Sequence, residues 1–440
     1  MMNHPILSPD TQAILLLCAS FGQNRLSQPQ PLTLTEYNLL VGWLQDNQMR
    51  PADLLSSNIN NKLQNLAIEK LDIQRIQALL ERGVMLSLAV EKWTTQGLWI
   101  MGRGDSQYPK RLKQRLKQKA PAILYGIGNI ELLSSGGLAI VGSRDITEQE
   151  IDYTQTIAKT CAEEGIQVIS GGARGVDQIS MLGILEAGGT AVGVLADSLI
   201  KTSVNGKYRN SIAEGRLTLI SPYDPHAGFN TGNAMGRNKY IYALADYGLI
   251  VSSGYQTGGT WAGATEALSK IKDVPVFVRM QDTIPEGNQE LVKQGAKPFP
   301  IIPASSSLKG LLRTVLEAVN SEVEAIVQLS LKDIDQTTFS QPKLEEKTQV
   351  SEHQVTETIP TVFPMSPKDI YEAVLPFILA HLHQPLDTKS IAERLEVRQG
   401  QMQDWLNRAV AEGKVKKTKK PVAYVVNQQL TQLSLLPEME

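Results

Sequence analysis

Three glycine-rich turns stand in the middle of this 440-residue chain, each between an apolar run and a helix-like run. Glycine lets a backbone approach a ligand closely, and successive N–H groups at the start of a helix bind anions. The turns therefore predict a surface that binds phosphate groups, although each could need glycine for its turn geometry alone. The turns contain Gly142-Ser143-Arg144, Ser170-Gly171-Gly172-Ala173-Arg174 and Gly258-Gly259-Thr260.

Basic residues accompany these turns. Arg174 can contact a phosphate through two N–H groups at once, and Arg144 closes the first turn. The segment Arg237-Asn238-Lys239 is expected to begin a helix, where cations oppose the helix dipole. Because helix stability does not explain such an arrangement, the segment indicates a function, with a solvated basic helix end as the alternative.

Several side chains near the turns have more than one interpretation. Asp177 either caps the next helix or orients Arg174, and the cap is favoured. Glu266 follows the third turn and is more often a surface glutamate than a catalytic base. The bound polyanion is either a nucleotide or a nucleic-acid strand. Aromatic residues that could stack on bases, with core packing as the default, are Tyr223, Phe229, Tyr240 and Tyr255.

The elements around the turns alternate between strand and helix. Continuous apolar runs are typical of strands covered on both faces. Thr147 and Glu150 form a capping-box pattern that predicts a helix after the first such strand. The pattern predicts an α/β fold with an extended Rossmann-like, doubly wound parallel sheet and a ligand crevice beyond the carboxyl ends of its strands. The runs are 138–141, 167–170, 191–195, 217–220, 247–252 and 274–278.

Composition limits the function classes. Net charge is only −2, so contacts with nucleic acid require local basic patches. Cys18 and Cys161 lack metal-ligand spacing and are interpreted as buried small hydrophobes, compatible with a reducing cytoplasm. The five histidines do not cluster, so neither a metal site nor a cofactor is predicted. The apolar run 14–19 is too short to span a membrane.

The chain is predicted to contain several domains. Residues 1–85 form a helical N-terminal domain of SAM-like type, and 86–321 form the Rossmann-like domain. Residues 322–365 are polar and are interpreted as a flexible linker, and 427–440 as a tail.

Residues 366–426 show three helical runs and a basic hairpin, which is the order of elements in a winged helix. Such a module binds either DNA or a protein partner, and the pattern leaves both open. The hairpin lysines are Lys414, Lys416, Lys417, Lys419 and Lys420.

Together these residues resemble the DprA/Smf family of DNA-processing proteins. The resemblance begins at Tyr108-Pro109 and continues through the segment 120–128. It includes the turns at Gly142 and Gly171 and the segment at Arg237, with lysine as the second cation. It covers most of the chain outside the linker and tail.

Membership of that family implies binding of single-stranded DNA, loading of RecA recombinase during natural transformation, dimerisation through the Rossmann-like domain, and no catalysis. The residues carried over by motif are Ser143, Arg144, Ser170, Gly171, Arg174, Arg237, Asn238 and Lys239.

The chain departs from the family pattern at several positions. Gln178-Ile179-Ser180-Met181 replaces an Ala-His pair, and Gly232-Asn233-Ala234-Met235 replaces a Phe-Pro. The third turn matches loosely. It is partly similar to the glycine-glycine-threonine turn and following glutamate of nucleotide phosphoribohydrolases that resemble the LOG enzymes. A nucleotide sensor or hydrolase, in which Glu266 acts on water or ribose, is therefore the rival hypothesis.

Overall fold

The computed structural model describes residues 7–22, 29–64, 66, 68–303, 306–315, 317, 370–382, 384–395, 397, 399–418 and 423–427. The chain divides into two compact units, Met1–Phe339 and Ser340–Glu440. The predicted linker, the tail beyond residue 427, and Lys419 and Lys420 lie outside the described residues.

Helices precede the sheet in the first unit. Ser8 and Thr33 cap the first two helices through their side-chain oxygens, which satisfies N–H groups that have no partner inside the helix. The first helix is almost wholly buried and shares one core cluster with the strand residues Ile123 and Tyr125. The predicted boundary after residue 85 falls within a helix. The helices are α1 (Pro9–Cys18), α2 (Leu34–Asp46), α3 (Ile59–Leu63), α4 (Ile73–Leu80) and α5 (Gly83–Thr95).

A nine-stranded sheet forms the centre of this unit. The strands are β1 (Trp99–Gly102), β2 (Ile123–Ile127), β3 (Leu138–Val141), β4 (Val168–Ser170), β5 (Ala191–Val194), β6 (Leu217–Ser221), β7 (Tyr247–Ile250), β8 (Val276–Val278) and β9 (Lys297–Pro298). Their order is β1-β2-β6-β5-β4-β3-β7-β8-β9. All pairs from β6 to β9 are parallel, whereas β2 is antiparallel to both β1 and β6.

Helices connect the strands. They are α6 (Lys110–Leu116), α7 (Glu148–Glu163), α8 (Val176–Glu186), α9 (Leu199–Ser203), α10 (Gly206–Ala213), α11 (Thr231–Leu244), α12 (Gly258–Lys270) and α13 (Glu286–Lys293). The predicted capping box is confirmed at α7, where Thr147 and Glu150 each bind the other's backbone N–H.

The predicted fold class is confirmed as α/β with a mostly parallel, doubly wound sheet. Leu138 and Ile140 of β3 pack in one core cluster, and Ala139 and Val141 pack in another. Since neighbouring strand residues point to opposite faces, both faces of β3 are covered. The chain runs from β3 outward to β6 and returns at β7 on the other side of β3. Such folds bind ligands beyond the carboxyl ends of their strands, near the point where β3 meets β7. No helix among the described residues is long and apolar enough to cross a membrane.

A buried ion pair fixes the loops at this edge. Arg279 is 1% exposed in its side chain, and its Nη2 lies 3.3 Å from Oε1 of Glu150. The other guanidinium hydrogen bonds go to backbone carbonyl oxygens, including that of Val251 at 3.0 Å from Nε. Asn288 donates to the same carbonyl at 3.1 Å. The start of α7, the end of β7 and the segment after β8 are thereby joined.

The thiol of Cys161 should not react in the folded protein. Its side chain is fully buried in α7, and burial raises the pKa of the thiol to about 12. At pH ~8 only about one thiol in ten thousand would be ionised, and the thiolate is the reactive form. We expect a Cys18→Ala variant to show no reaction with a disulfide thiol reagent until urea unfolds it. Rapid native labelling of that variant would contradict the burial of Cys161.

The second unit contains α14 (Ile370–His381), α15 (Thr388–Arg394), α16 (Gln399–Ala411), β10 (Val415–Lys417) and β11 (Tyr424–Val426). The two strands are antiparallel. Lys414 pairs with Glu412 at 2.8 Å, and Tyr371 and Arg408 donate hydrogen bonds to the same carboxylate, which lowers the pKa of Glu412 to about 2. One lysine of the predicted basic hairpin is therefore matched by a carboxylate.

Candidate nucleic-acid interface

A cavity of about 440 Å³ lies at the carboxyl ends of β4 and β5. Its size suits one nucleotide. Five of the predicted residues line it: Arg144, Gly171, Gly172, Arg174 and Arg237. The other lining residues are Ala173, Leu195, Ala196, Asp197, Thr202, Phe229 and Ala234.

Arg237 forms the buried part of this cavity. Its side chain is 5% exposed, and Nη1 lies 3.7 Å from Oδ2 of Asp177. Nε and Nη1 have no hydrogen-bond partner in the described part of the chain, and burial lowers the pKa of the guanidinium. Leaving buried charged donors without hydrogen bonds costs stability, so their presence beside a cavity indicates a site for an anion.

The position of Arg237 corrects the prediction that it begins a helix. Helix α11 starts at Thr231, and Asn230 caps it by accepting from the N–H of Asn233 at 3.1 Å. Arg237 therefore lies in the middle of the helix, and the argument from the helix dipole does not apply to it. What marks Arg237 as functional is its burial.

Asp177 has neither of the two predicted roles. Gly175, not Asp177, is the N-cap of α8, and Arg174 pairs with Asp145 instead. The carboxylate of Asp177 is buried, which raises its pKa, and it accepts N–H hydrogen bonds from Gly142, Gly171 and Ala173. The backbone donors of the first two turns are therefore directed at a carboxylate of the protein itself.

Gly171 is needed for this arrangement. A Cβ atom placed there would lie 1.4 Å from Nη1 of Arg237 and 2.4 Å from Oδ2 of Asp177. No rotation of a side chain at position 171 could relieve that overlap, so any other residue would displace the buried ion pair. The sequence predicts that the backbone of this turn approaches a ligand closely. In the structure, the group that lies close to Gly171 is the guanidinium of Arg237.

The rim of the cavity is exposed and aromatic. Phe229 is 58% exposed, and the Cζ atom of Arg144 lies 5.3 Å from the centre of its ring. Arg144 has no acidic partner among the described residues, whereas Arg174 is paired with Asp145. An exposed aromatic ring beside an unpaired guanidinium is a surface on which a base can stack and a phosphate can bind.

The remaining predicted residues do not line the cavity, and several of them donate to backbone carbonyls of the turns or of β3. Ser143 donates to the carbonyl of Ser252 at 3.2 Å, and Ser170 donates to that of Ile140 at 2.6 Å. Asn238 donates to the carbonyl of Gly259 at 2.8 Å. Thr260 donates to the carbonyl of Gly142 at 2.9 Å, so the third turn supports the first. Gly258 begins α12 and is exposed, and Lys239 lies half-buried beside Tyr240.

The glutamate required by the rival hypothesis also lies elsewhere. Oε1 of Glu266 is 3.4 Å from Nζ of Lys270, one helical turn away, and Glu266 does not line the cavity. Asp197 is the acidic residue that does, at the end of the segment that follows β5. The sequence reasoning did not select Asp197, although its place after a buried parallel strand was a usable signal.

The family model and the curated relatives concern DNA processing proteins. The family model of DNA recombination-mediator protein A matches residues 99–305, which include the cavity. The DNA processing protein DprA of Bacillus subtilis is 27% identical over 263 residues, covering 59% of this chain and 85% of that protein.

Two solved structures are also similar. That of DNA processing protein A from Streptococcus pneumoniae has a TM-score of 0.49 at 18% identity and covers 61% of this chain and 90% of that one. A structure concerned with the single-stranded DNA binding mode of DNA processing protein A from Helicobacter pylori has a TM-score of 0.41 at 24% identity, covering 50% and 96%. On the family match and the Bacillus relative, residues 99–305 of this chain resemble the DprA/Smf family of DNA processing proteins.

Proposed function

We propose that this chain binds single-stranded DNA with a backbone phosphate in the cavity. The observation that carries this proposal is the environment of Arg237. It is buried, its Nε and Nη1 have no hydrogen-bond partner among the described residues, and it lines a cavity together with two further arginines. Separate phosphate oxygens would accept from these two donors, because the N–H groups of Nε and Nη1 point to different sides of the guanidinium. Such charge-assisted hydrogen bonds are about twice as strong as neutral ones.

The exposed rim favours a strand over a free nucleotide. Phe229 and Arg144 stand at the mouth, where a neighbouring base and phosphate of the same strand would contact them. Contacts of this kind go to the backbone and to the faces of bases, so binding should show little sequence preference. Arg174 would add a rim contact if its pairing with exposed Asp145 gives way to phosphate.

The wider role is proposed from the resemblance to that family. We propose that the protein protects incoming DNA and loads RecA recombinase onto it in the cytoplasm during natural transformation, as a homodimer and without catalysis. The family description as a recombination mediator supports this role. We also propose the domain boundaries given in the sequence analysis. The second unit is proposed to be a winged helix.

The test compares three ligands. Fluorescence anisotropy should show that a long oligothymidylate binds well, that duplex DNA binds more weakly, and that thymidine monophosphate competes poorly. Affinity for the single strand should fall steeply between about 50 and 200 mM salt.

The Arg144→Gln, Phe229→Ala variant should bind roughly tenfold or more weakly, given about 1–3 kcal/mol per stacked base.

The matched control is Lys159→Gln, an exposed lysine on α7 that is 72% accessible in its side chain. It should bind as the unmodified protein does. Equal affinity for mononucleotide and strand, or release of free base from nucleoside monophosphates, would contradict the proposal and favour the nucleotide rival.

A further inference from the structure

A second cationic surface lies away from the cavity. The ten residues 110–119 contain six lysines and arginines and no acid, and they form α6 and the short 3-10 turn Lys117–Lys119. Leu112 and Leu116 of this segment are buried in the core. The segment is therefore firmly packed on one side and basic on the other.

Its arginines and its lysines have different positions. Arg111 pairs with Asp246 at 2.5 Å, and Arg115 donates to the carbonyl of Ala243 at 3.0 Å, so both hold α6 against the end of α11. The lysines at 110, 113, 117 and 119 are exposed and form no ion pair within the described ranges. Four charges on one short segment without acidic partners repel each other, and fold stability does not account for them.

Lys239 and Lys270 extend this surface from two further helices. The pKa of Lys239 is lowered, first by burial and then by the nearby charges of Lys119 and Lys270, against which Glu266 acts in the opposite direction. Glu266 already pairs with Lys270. We call Lys110, Lys113, Lys117, Lys119, Lys239 and Lys270 the lysine surface.

Helix α11 connects the lysine surface to the cavity. Arg237 and Lys239 are two residues apart, which in an α-helix turns their side chains about 200° from each other. Arg237 therefore lines the cavity, whereas Lys239 lies on another face of α11, where it is close enough to Lys119 of the turn after α6 and to Lys270 of α12 to feel their charges. A DNA strand that contacts both the cavity and the lysine surface has to pass around α11, which is about 10 Å wide.

We propose that the lysine surface binds the backbone of the same DNA strand after it leaves the cavity and passes α11. This inference rests on the proposed function. A single strand is the occupant because the surface is continuous with the strand site through one helix, and because lysines contact phosphates as point charges without requiring duplex geometry. The surface would lengthen the bound segment without adding base recognition.

The experiment uses the full chain and strand length as the variable. An oligothymidylate of about 4 nucleotides fills the cavity and its rim, whereas one of about 20 can also pass the ~10 Å helix and reach the lysines. The variant is Lys113→Gln, Lys117→Gln, Lys119→Gln, which leaves the proposed cavity residues untouched. The control is Lys62→Gln, Lys92→Gln, Lys159→Gln, three exposed lysines elsewhere in the same unit.

The variant should bind the short strand as the unmodified protein does and the long strand roughly tenfold more weakly at low salt. Its log–log salt slope for the long strand should fall by about 2, since each single-strand phosphate contact contributes about 0.7. The control should change neither value.

Each contrary outcome is informative. An unchanged long-strand affinity overturns the proposal, and so does an equal loss on both strands, which would place the lysines' effect in the cavity. A larger loss for duplex than for single strand would assign the surface to duplex DNA instead. The cavity proposal fails if the unmodified protein binds only the long strand and Arg237 variants bind that strand normally. In that case the lysine surface is judged by the long strand alone: weaker binding of the lysine variant supports it, and unchanged binding overturns it.

Discussion

Replacing Arg237 with methionine should remove most of the affinity for single-stranded DNA. Methionine fills much of the same space but offers no donor, whereas Arg237 lines the cavity and has two nitrogens without a hydrogen-bond partner in the described part of the chain. Truncating one partner of a buried, hydrogen-bonded charge pair costs about 2–5 kcal/mol, which is roughly 30-fold or more in the dissociation constant. Anisotropy titration with oligothymidylate at constant salt measures the loss.

The same substitution leaves Asp177 buried without its cation, so a loss of stability has to be separated from a loss of contact. Adding Asp177→Asn removes the unpaired charge. The double variant should recover thermal stability and still fail to bind. Recovery of binding together with stability would mean that Arg237 acts only through the fold, and would contradict its contact with phosphate. Arg237→Lys, which keeps the charge and loses the planar fork, should bind with intermediate affinity.

Glu150→Gln should be the most destabilising of the conservative substitutions considered for the first unit. Glutamine still completes the capping box at Thr147. It removes the only carboxylate that pairs with Arg279 in the described part of the chain, and that guanidinium is almost fully buried. Breaking a buried pair by removing one partner costs about 3–5 kcal/mol, because the other charge remains uncompensated.

Urea unfolding followed by tryptophan fluorescence measures this effect as a shift of the midpoint. The control is Glu163→Gln at the other end of the same helix, where the pair with Lys159 is 3.9 Å long and mostly exposed. That change should be near neutral. A shift for Glu150→Gln no larger than that of the control would show that Arg279 is stabilised by its carbonyl contacts alone.

The sheet could be predicted from the sequence because its central strands are buried on both faces. Their apolar runs are short and continuous, and the capping box at Thr147 marks where the first connecting helix begins. Strand β2 was missed because it lies in the antiparallel edge region, outside the strand–turn–helix repeat that drew attention to the others. Strand β9 is two residues long and offers no periodicity to detect.

The site could be predicted only in part. The sequence indicated which residues gather at the carboxyl ends of the strands, and five of them do line one cavity. It did not reveal that Asp177 receives the turn amides, since that contact depends on how the turns fold over the start of α8. The cap at Asn230 was visible in the sequence and would have placed Arg237 inside the helix. With that placement, helical geometry alone separates Arg237 from Lys239.

The carboxylate of Asp177 has a consequence for which anions this protein can retain. It sits where glycine turns usually receive phosphate, and it is attached to the same chain, so its effective concentration far exceeds that of any small anion in solution. Free phosphate or sulfate would have to displace it to reach the amides. A polymer with several linked phosphates does not need to displace Asp177. One of its phosphates can contact Arg237 from the cavity while the neighbouring phosphates contact the rim. We therefore expect Asp177 to compete with simple anions for the turn amides, and the proposed site to favour a long polyanion over free phosphate or sulfate.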